Sequence, residues 1–579
     1  MRDTLATLLG QKLPAPVEGA IGKLLRLDRL NRLWEDVPGA DNRLIADHPL
    51  ALLNVHTQVS DRDLALIPRQ GPVVAVANHP FGLIEGAILP SLFLSVRPDV
   101  KVMANHLLAA MPETNGLCIF VDPYGGEGAA RANHKALKEA IAWLKQGGLL
   151  TVFPAGEVSQ LNFKERAITD PEWSHNVARL IRITGATVLP MYLLGANSAL
   201  FHLLGCLHPR VRTALLPHEF FNKHNRTIEV RVGSPITPAK IRAYQDDIAL
   251  IRYLRRRTYL LENREAPKQC FQDARSDPPS TGVVSELLAG EVAKLAPERT
   301  LVENEDFTVL LAKANEIPNV LHEIGRLREI TFRRIGEGTG KSIDLDRFDD
   351  HYWHLFIWNR QSREVAGAYR LGPSSEILPR FGPKGLYTSQ LFQWKQSFLD
   401  RISPALELGR SFVRPEYQKT FAPLLLLWRG IGQFLIRNPE YKVLFGPVSI
   451  SNGYTAASRQ LMVKFLSAYR RSPEFAPLVR ARNPFRQRPS KMTDELLGTT
   501  VWDVEELSAL IADVETDRKG VPVLLKQYLK LGGELAAFHV DRRFADALDG
   551  LIIVDLRKTD LRVLERYMGK DGAAKFLTA

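Results

Sequence analysis

The stretch VVAVANHPFGLIEG, residues 73–86, decides how the first half of the chain folds. It opens with five small or β-branched apolar residues, a composition typical of a strand. His79 leaves the end of this predicted strand, and Glu85 follows six residues later. The stretch therefore predicts a strand that places a histidine and a carboxylate together at its carboxyl end.

Further strand-like runs follow, separated by helical patterns such as residues 134–146. The runs are residues 118–121, 149–153, 187–194 and 227–232. This alternation predicts an α/β domain with a mainly parallel sheet. In the second half, residues 306–314, 364–371 and 405–413 resemble strands, and residues 320–334 resemble a helix. The second half is thus another α/β or α+β unit.

Composition and charge narrow the kinds of partner. The chain has 579 residues, 45% hydrophobic and 24% charged, as expected of a globular protein. Lys and Arg number 76 against 64 Asp and Glu, a net charge of +12 that favours an anionic partner. Three cysteines, Cys118, Cys206 and Cys270, are too few for a disulfide framework or a zinc site.

Four segments are expected along the chain. Residues 1–44 are an amphipathic helical region, in which residues 20–35 combine apolar residues at helical spacing with Lys23, Arg26, Arg29 and Arg32. That helix either lies on a lipid surface or packs on its own domain. One α/β domain is expected over residues 45–273, a polar linker over 274–299, and a second domain over 300–579.

We expect a cytoplasmic protein that lies peripherally on the cytoplasmic face of the inner membrane. No signal-peptide pattern opens the sequence, and no run reaches the roughly 18 apolar residues that a spanning helix needs. Arginine clusters such as residues 252–257 lack the aromatic interleaving of a nucleic-acid reader. Nucleic acid is therefore not an expected partner.

His79 and Glu85 suit general-base chemistry. A carboxylate that holds one ring nitrogen lets the other nitrogen accept a proton from a hydroxyl group. A structural pairing would produce the same two residues. Two further blocks, residues 154–159 and 189–198, favour the catalytic interpretation of the pair over the structural one.

The three blocks, in this order and at these distances, resemble the glycerolipid acyltransferase family over roughly residues 45–240. The resemblance implies that His79 deprotonates an acceptor hydroxyl, which attacks an acyl thioester, while Glu85 orients His79. It also implies substrate-binding roles for Asn78, Gly82, Gly156, Glu157, Ser159 and Asn197. Val158 stands where the family has an arginine suited to a phosphate, which argues for an acceptor without one, unless Lys164 or Arg166 substitutes.

A second constellation lies on the predicted strand 405–413. Glu407 and Arg410 are three residues apart and would face opposite sides, unless a bulge at Gly409 realigns them. A structural ion pair is the alternative. Upstream lie Arg328, Phe332, Asp346, Asp349 and Arg370, and the whole order resembles the acyl-homoserine-lactone synthases and related N-acyl amino acid synthases of the GNAT fold.

This second resemblance implies that Glu407 is the general base and that Arg328, Phe332, Asp346, Asp349, Arg370 and Arg410 shape the site. The acid cluster would also attract an amine substrate with a second positive charge. Residues 418–423 lack the glycines of a coenzyme A diphosphate nest. The donor implied is therefore an acyl carrier protein thioester, and no metal or redox cofactor is expected.

The whole chain resembles bifunctional ornithine lipid synthases, with residues 323–340 a strong part of the likeness. The resemblance implies N-acylation of ornithine with a 3-hydroxyacyl chain by the second domain. The first domain would then acylate the hydroxyl of that lyso-aminolipid at an anionic membrane surface. Alternatives are glycine, lysine or glutamine as acceptor, a single-activity lysophospholipid acyltransferase with a docking domain, or a non-catalytic basic scaffold.

Overall fold

A computed structural model describes residues 41–110, 112–122, 129–163, 167–206, 209–264, 277–418, 422–487 and 503–579. These residues form two compact units. The first runs to Arg264 and includes Ala512–Val514, and the second contains the other described residues. The predicted amphipathic helix, Lys164 and Arg166 lie outside the described residues.

The first unit is built on one large sheet. Its strands are β1 (His56–Gln58), β2 (Val73–Ala77), β3 (Val100–Asn105), β4 (Cys118–Val121), β5 (Leu149–Val152), β8 (Thr187–Leu193) and β9 (Thr227–Val232), with β6 (Gln160–Asn162) and β7 (Ala167–Thr169) forming a separate hairpin. Within the described residues the sheet order is β1-β9-β8-β2-β5-β3-β4. Strands β8, β2, β5, β3 and β4 run parallel, whereas β9 is antiparallel to β8. The predicted α/β fold with a mainly parallel sheet is confirmed.

Helices cover both faces of that sheet. They are α1 (Asn42–Leu52), α2 (Asp61–Leu64), α3 (Glu85–Leu94), α4 (Ala129–Lys145), α5 (His175–Thr184), α6 (Ala199–Gly205), α7 (Pro209–Phe221), α8 (Pro238–Arg242) and α9 (Asp247–Leu260). Strand β2 explains the layering, because alternate residues point to opposite faces. Val73, Ala75 and Ala77 belong to one apolar core, while Val74 and Val76 belong to another. A strand buried on both sides needs the uninterrupted apolar run seen at 73–77.

The second unit contains a mixed sheet. Its strands are β10 (Thr300–Glu303), β11 (Phe307–Lys313), β12 (Trp353–Asn359), β13 (Glu364–Pro373), β15 (Ala405–Val413), β16 (Val443–Ile450), β18 (Glu534–Asp541) and β19 (Ala547–Asp555), with β14 (Phe392–Trp394) paired to β17 (Val479–Ala481). In the described part the sheet order is β10-β11-β12-β13-β15-β16-β19-β18. Neighbouring strands are antiparallel except β15 and β16, which are parallel.

The helices after residue 277 are α10 (Ser285–Lys294), α11 (Pro318–Arg334), α12 (Ser374–Phe381), α13 (Gln396–Ile402), α14 (Ala422–Arg437), α15 (Ala456–Tyr469), α16 (Val504–Val514), α17 (Val523–Lys530), α18 (Leu561–Met568) and α19 (Lys570–Thr578). Helix α10 corrects the predicted linker over 274–299. Its Leu288 is buried in the core that includes Val320, and Glu291 accepts hydrogen bonds from the N–H groups of Asn319 and Val320. These contacts make residues 285–294 part of the second unit.

Strands β15 and β16 separate along their length. They pair only at Ala405–Val443, Leu406–Leu444 and Glu407–Phe445. At Gly446 the two backbones come so close that a Cβ atom there would lie 2.1 Å from the carbonyl oxygen of Leu408. Beyond this point the strands diverge, and both border the cavity described below.

No helix in the described ranges is long and apolar enough to span a bilayer.

We predict that Gly446→Ala destabilises the protein. A methyl group at this position meets a backbone oxygen, which cannot move aside as a flexible side chain can, so the strands must shift at a cost of about 1–3 kcal/mol. Gly290→Ala is the matched control, because Gly290 lies within α10 with open space around it and alanine favours a helix. Thermal unfolding of the full chain should show a lower Tm for Gly446→Ala alone. Equal Tm values would contradict the close approach.

Candidate functional site

The first site lies at the carboxyl end of β2. His79 Nδ1 lies 3.3 Å from Glu85 Oε1, and the histidine ring stacks on Phe153 with centroids 4.3 Å apart. The His79 side chain is 14% exposed, whereas Glu85 is fully buried at the start of α3. The structure therefore brings together the two residues that the sequence pairs. The contact at Nδ1 leaves Nε2 as the nitrogen that can receive a proton from outside.

Backbone groups hold Glu85 in place. Its Oε1 accepts hydrogen bonds from the N–H groups of Phe81 at 2.6 Å and Gly82 at 3.0 Å. Burial alone would raise the pKa of Glu85, but His79 and these two N–H groups outweigh it, so the pKa lies below its ordinary value. Glu85 is therefore a carboxylate near neutral pH and can stabilise a protonated His79.

Asp170 is a residue that sequence reasoning missed. Its Oδ1 accepts hydrogen bonds from the His79 backbone N–H at 3.1 Å and from the Ser159 hydroxyl at 2.5 Å. Its Oδ2 accepts one from the Trp173 indole at 2.9 Å. Asp170 thus ties the segment that carries His79 to the block at 154–159. The only available signal was a lone acid after a short polar run, which is too common to identify.

Two of the predicted substrate-binding residues hold the backbone of the site. Both polar atoms of the buried Asn78 side chain engage Leu193, donating to its carbonyl at 3.0 Å and accepting from its N–H at 2.7 Å. Ser159 donates its backbone N–H to the His79 carbonyl at 2.8 Å. These contacts give Asn78 and Ser159 positioning roles, because their polar groups already have partners within the protein.

The predicted glycines have backbone reasons to be glycine. Gly82 has a φ of 103°, and a Cβ atom there would lie 2.5 Å from Leu216 Cδ2. Gly156 has a φ of 68° in the turn after β5, where its N–H donates to the Phe153 carbonyl. Both residues therefore shape the loops around His79.

An arginine from another element contacts the block that lacks the phosphate-binding arginine. Val158 is buried, and Arg212 from α7 pairs with Glu157 and Gln160. Glu157, predicted to bind substrate, is therefore the partner of a buried guanidinium. Asn197 donates to the Phe81 carbonyl at 3.0 Å, and its buried Oδ1 has no partner within the described residues. Asn197 keeps an acceptor available beside the His79 loop.

The second constellation is a buried network of alternating charges. Arg328 on α11 donates to Asp349 at 2.8 Å, and Arg370 on β13 lies 2.7 Å from Asp346 and 3.2 Å from Asp349. Burial opposes ionisation of Asp349, but the two guanidinium groups hold its pKa far below the ordinary value. The sequence predicts that four charged residues shape one site, and the structure brings them into contact: Arg328, Asp346, Asp349 and Arg370.

Arg410 joins this network through a bulge in β15. Arg370 pairs with Gly409 and Ala368 pairs with Phe412, so one residue of β13 faces two of β15, and Arg410 has a φ of 51°. Its guanidinium lies 3.6 Å from an oxygen of Asp344 and from one of Asp346. The guanidinium also lies 5.0 Å from the ring centre of Tyr387. The bulge that the sequence allowed is present.

Glu407 is enclosed by hydrogen-bond donors of the protein. It is buried, and its oxygens accept hydrogen bonds from the Tyr352 hydroxyl, the Tyr387 N–H at 3.0 Å and the Thr388 N–H at 2.7 Å. Burial raises its pKa, against these hydrogen bonds. Glu407 thus positions the segment that carries Tyr387, and its role as general base stays a prediction.

A cavity of about 80 Å³ opens where β15 and β16 diverge. Its lining includes Phe332, Glu337, Tyr387, Arg410, Ser449 and Asp549. Phe332 and Arg410 were predicted as site residues, whereas Glu337 and Asp549 were not. A glycine on each side of Glu337 was a signal for a special loop, whereas Asp549 lies on β19, a strand that was not predicted from the sequence. Among the described residues, no cluster of His, Cys, Asp or Glu suits a metal ion.

Family and sequence comparisons agree with the two units. Residues 54–266 match the family described as "Acyltransferase", and residues 327–428 match "Acetyltransferase (GNAT) domain". A glycine N(alpha)-acyltransferase of Bacteroides thetaiotaomicron is 32% identical over 300 residues, covering 48% of this chain and 87% of that protein. An L-ornithine N(alpha)-acyltransferase of Brucella abortus is 27% identical over 230 residues, covering 39% of this chain and 74% of that protein.

Among solved structures, the 1-acyl-sn-glycerophosphate acyltransferase PlsC from Thermotoga maritima aligns with 17% identity and a TM-score of 0.25. The alignment covers 46% of this chain and 100% of that chain.

We predict that Arg328→Met destabilises the protein by about 3 kcal/mol, because it leaves Asp349 buried with one guanidinium partner fewer. Arg334→Met, at an exposed position of the same helix, is the control and should change stability by less than about 0.5 kcal/mol. Denaturant unfolding measures both. Similar small effects of the two substitutions would show that Asp349 does not depend on Arg328.

Proposed function

The chain belongs to the family of amino-acid Nα-acyltransferases, and on this premise we propose that it carries out two acyl transfers that together build an aminolipid. The second unit acylates the α-amine of an amino acid with a 3-hydroxyacyl chain. The first unit then acylates the 3-hydroxyl group of that lyso-aminolipid. The observation that carries the two-step proposal is the His79–Glu85 pair in a unit separate from the cavity at β15 and β16.

O-acyl transfer needs a base for an unactivated hydroxyl. In the proposed step, His79 Nε2 takes the hydroxyl proton while the alkoxide oxygen attacks the thioester carbonyl. The C–O bond forms, the C–S bond breaks, and the proton passes from the imidazolium to the leaving thiolate. Glu85 stabilises the imidazolium through Nδ1, at 3.3 Å, and its lowered pKa keeps it ionised throughout.

The surroundings of His79 favour an acceptor without a phosphate group. Val158 offers no cation, and the guanidinium of Arg212 is already paired with Glu157. A phosphate would have to displace that carboxylate to reach Arg212. This supports the hydroxyl of a lyso-aminolipid over a lysophospholipid as the acceptor, which is the single-activity alternative.

N-acyl transfer is proposed at the cavity between β15 and β16. The diverging strands leave the backbone around Leu408 and Pro447 without partners from each other, which suits an extended pantetheine arm. Pro423, near the start of α14, has no N–H group to offer a diphosphate. We therefore propose acyl carrier protein thioesters as donors and no further cofactor. The product's acyl chains would keep the enzyme on the cytoplasmic face of a membrane.

The acceptor that we propose is ornithine, with glycine as the alternative. The relatives include acyltransferases named for each amino acid. The acid cluster 344–350 no longer argues for a dibasic acceptor, because Asp344, Asp346 and Asp349 face arginines of the protein. The choice is therefore left to the mass of the product.

We predict the lipids formed by expression in a host that makes no aminolipids. The unaltered chain should yield a doubly acylated aminolipid, whereas His79→Ala should accumulate the singly acylated, amide-linked form, because only O-acyl transfer needs the imidazole. His175→Ala, at an exposed histidine of the same unit, is the control and should match the unaltered chain. Mass spectrometry of the lipid extract identifies both lipids and the amino acid.

Two results would contradict the proposal. Doubly acylated lipid from His79→Ala would remove His79 from the O-acyl transfer. Phosphatidic acid as the only new product of the unaltered chain would favour the single-activity alternative.

A further inference from the structure

Two carboxyl groups that line the cavity of the second unit, those of Glu337 and Asp549, form no ion pair with an arginine among the described residues. Glu337 accepts one hydrogen bond, from the Ser449 hydroxyl to Oε2 at 2.8 Å. Asp549 has no hydrogen bond or ion pair through its side chain in the described part of the chain. In contrast, Asp344, Asp346 and Asp349 all lie within ion-pair distance of Arg328, Arg370 or Arg410.

Hydrogen bonds to Glu329 fix the loop that carries Glu337. Residues 336–340 follow α11, and buried Glu329 accepts hydrogen bonds from the Thr339 N–H at 3.0 Å, the Thr339 hydroxyl at 2.6 Å and the Gly340 N–H at 3.0 Å. Arg333 balances the charge of Glu329 at 2.6 Å. Gly338 is required by close packing, since a Cβ atom there would lie 2.3 Å from Arg333 Cγ. The loop is therefore built to hold Glu337 at one position.

Strand register places Asp549 next to Glu337. Asp549 on β19 pairs directly with Ser449 on β16, and Ser449 holds Glu337. Side chains of directly opposed residues in an antiparallel pair have Cβ atoms about 5 Å apart. Both carboxyl groups are therefore neighbours of Ser449 and line the same cavity, where β15 and β16 have already separated.

The geometry points to Glu337 as the catalytic base of N-acyl transfer, with Asp549 beside it as the second group that receives the ammonium group of the acceptor. This inference rests on the proposed function and replaces Glu407 in the role of base. Glu337 takes one proton from the ammonium group, and the neutral amine attacks the thioester carbonyl. The C–N bond forms, the C–S bond breaks, and the second N–H proton goes to the leaving thiolate.

The electrostatics of the cavity agree with this role. Burial raises the pKa of Glu337 to about 7, against the hydrogen bond from Ser449 and the charge of Arg410. Burial, Glu337 and Asp541 raise the pKa of Asp549 well above its ordinary value. Each carboxyl group therefore makes ionisation of the other less favourable, and a bound ammonium group would relieve that repulsion. The titratable or charged groups facing Glu337 are Arg410, Asp549, Tyr369, Tyr387, Tyr454 and Tyr528.

The test uses the purified full chain with a 3-hydroxyacyl acyl carrier protein thioester and ornithine or glycine. Amide formation is measured between pH 5.5 and 9. For the unaltered chain, kcat should fall about tenfold per pH unit below about 7, because the base becomes protonated. Glu337→Gln keeps the size and the hydrogen bond to Ser449, and should lower kcat by about 10²–10⁴-fold at pH 8. Glu305→Gln, an exposed loop position, is the control and should leave kcat unchanged.

Ser449→Ala tests Glu337 through the pH profile of kcat, which would not shift if Glu337 had a purely structural role. It keeps the carboxyl group but removes the hydrogen bond that lowers the pKa of Glu337, so the acid limb of the kcat profile should move to higher pH. An unchanged limb in Ser449→Ala would overturn the assignment, as would a kcat of Glu337→Gln within threefold of the unaltered chain. No amide from the unaltered chain would instead overturn the proposed function, and this inference with it.

Discussion

Charge compensation inside the second unit decides what that unit can bind. Three arginines from α11, β13 and β15 lie among the carboxylates of residues 344–349, with distances of 2.7–3.6 Å. Because isolated buried charges are costly, the two sets of charges depend on each other. The pairing locks the helix and two strands that border the cavity. Glu337 and Asp549, which line the cavity, have no ion pair with these arginines in the described part of the chain, and this is why we propose them as the groups that receive the ammonium group.

The two units use a similar device at their sites. In each, a fully buried glutamate accepts consecutive backbone N–H groups, those of Phe81 and Gly82 for Glu85 and those of Tyr387 and Thr388 for Glu407. The difference lies in the next contact. Glu85 meets a histidine that is partly exposed, so it can support proton transfer, whereas Glu407 meets the buried hydroxyl of Tyr352. Similar anchoring thus supports chemistry in one unit and loop position in the other.

The sequence predicts elements better than it predicts contacts. The strand at 73–77 and the bulged strand at 405–413 follow from local patterns, and both match the structure. The order of motifs along the chain was enough to assign Arg328, Asp349 and Arg370 to one site. The sequence predicts a linker over 274–299 and not α10, because the polar start of this segment does not indicate that Leu288 is buried. Asp170 contacts His79 and Asp549 lies opposite Ser449 on the neighbouring strand, and both neighbours are far away in sequence, which no local pattern reveals.

We propose that N-acylation precedes O-acylation on one chain. A pulse of isotopically labelled amino acids, followed by an unlabelled chase and lipid mass spectrometry, tests this order directly in cells that express the unaltered chain. We expect label first in a singly acylated lipid that resists mild alkali, as an amide does, and then in the doubly acylated lipid. Label entering the doubly acylated lipid without that precursor, or first entering an alkali-labile ester, would contradict the claim.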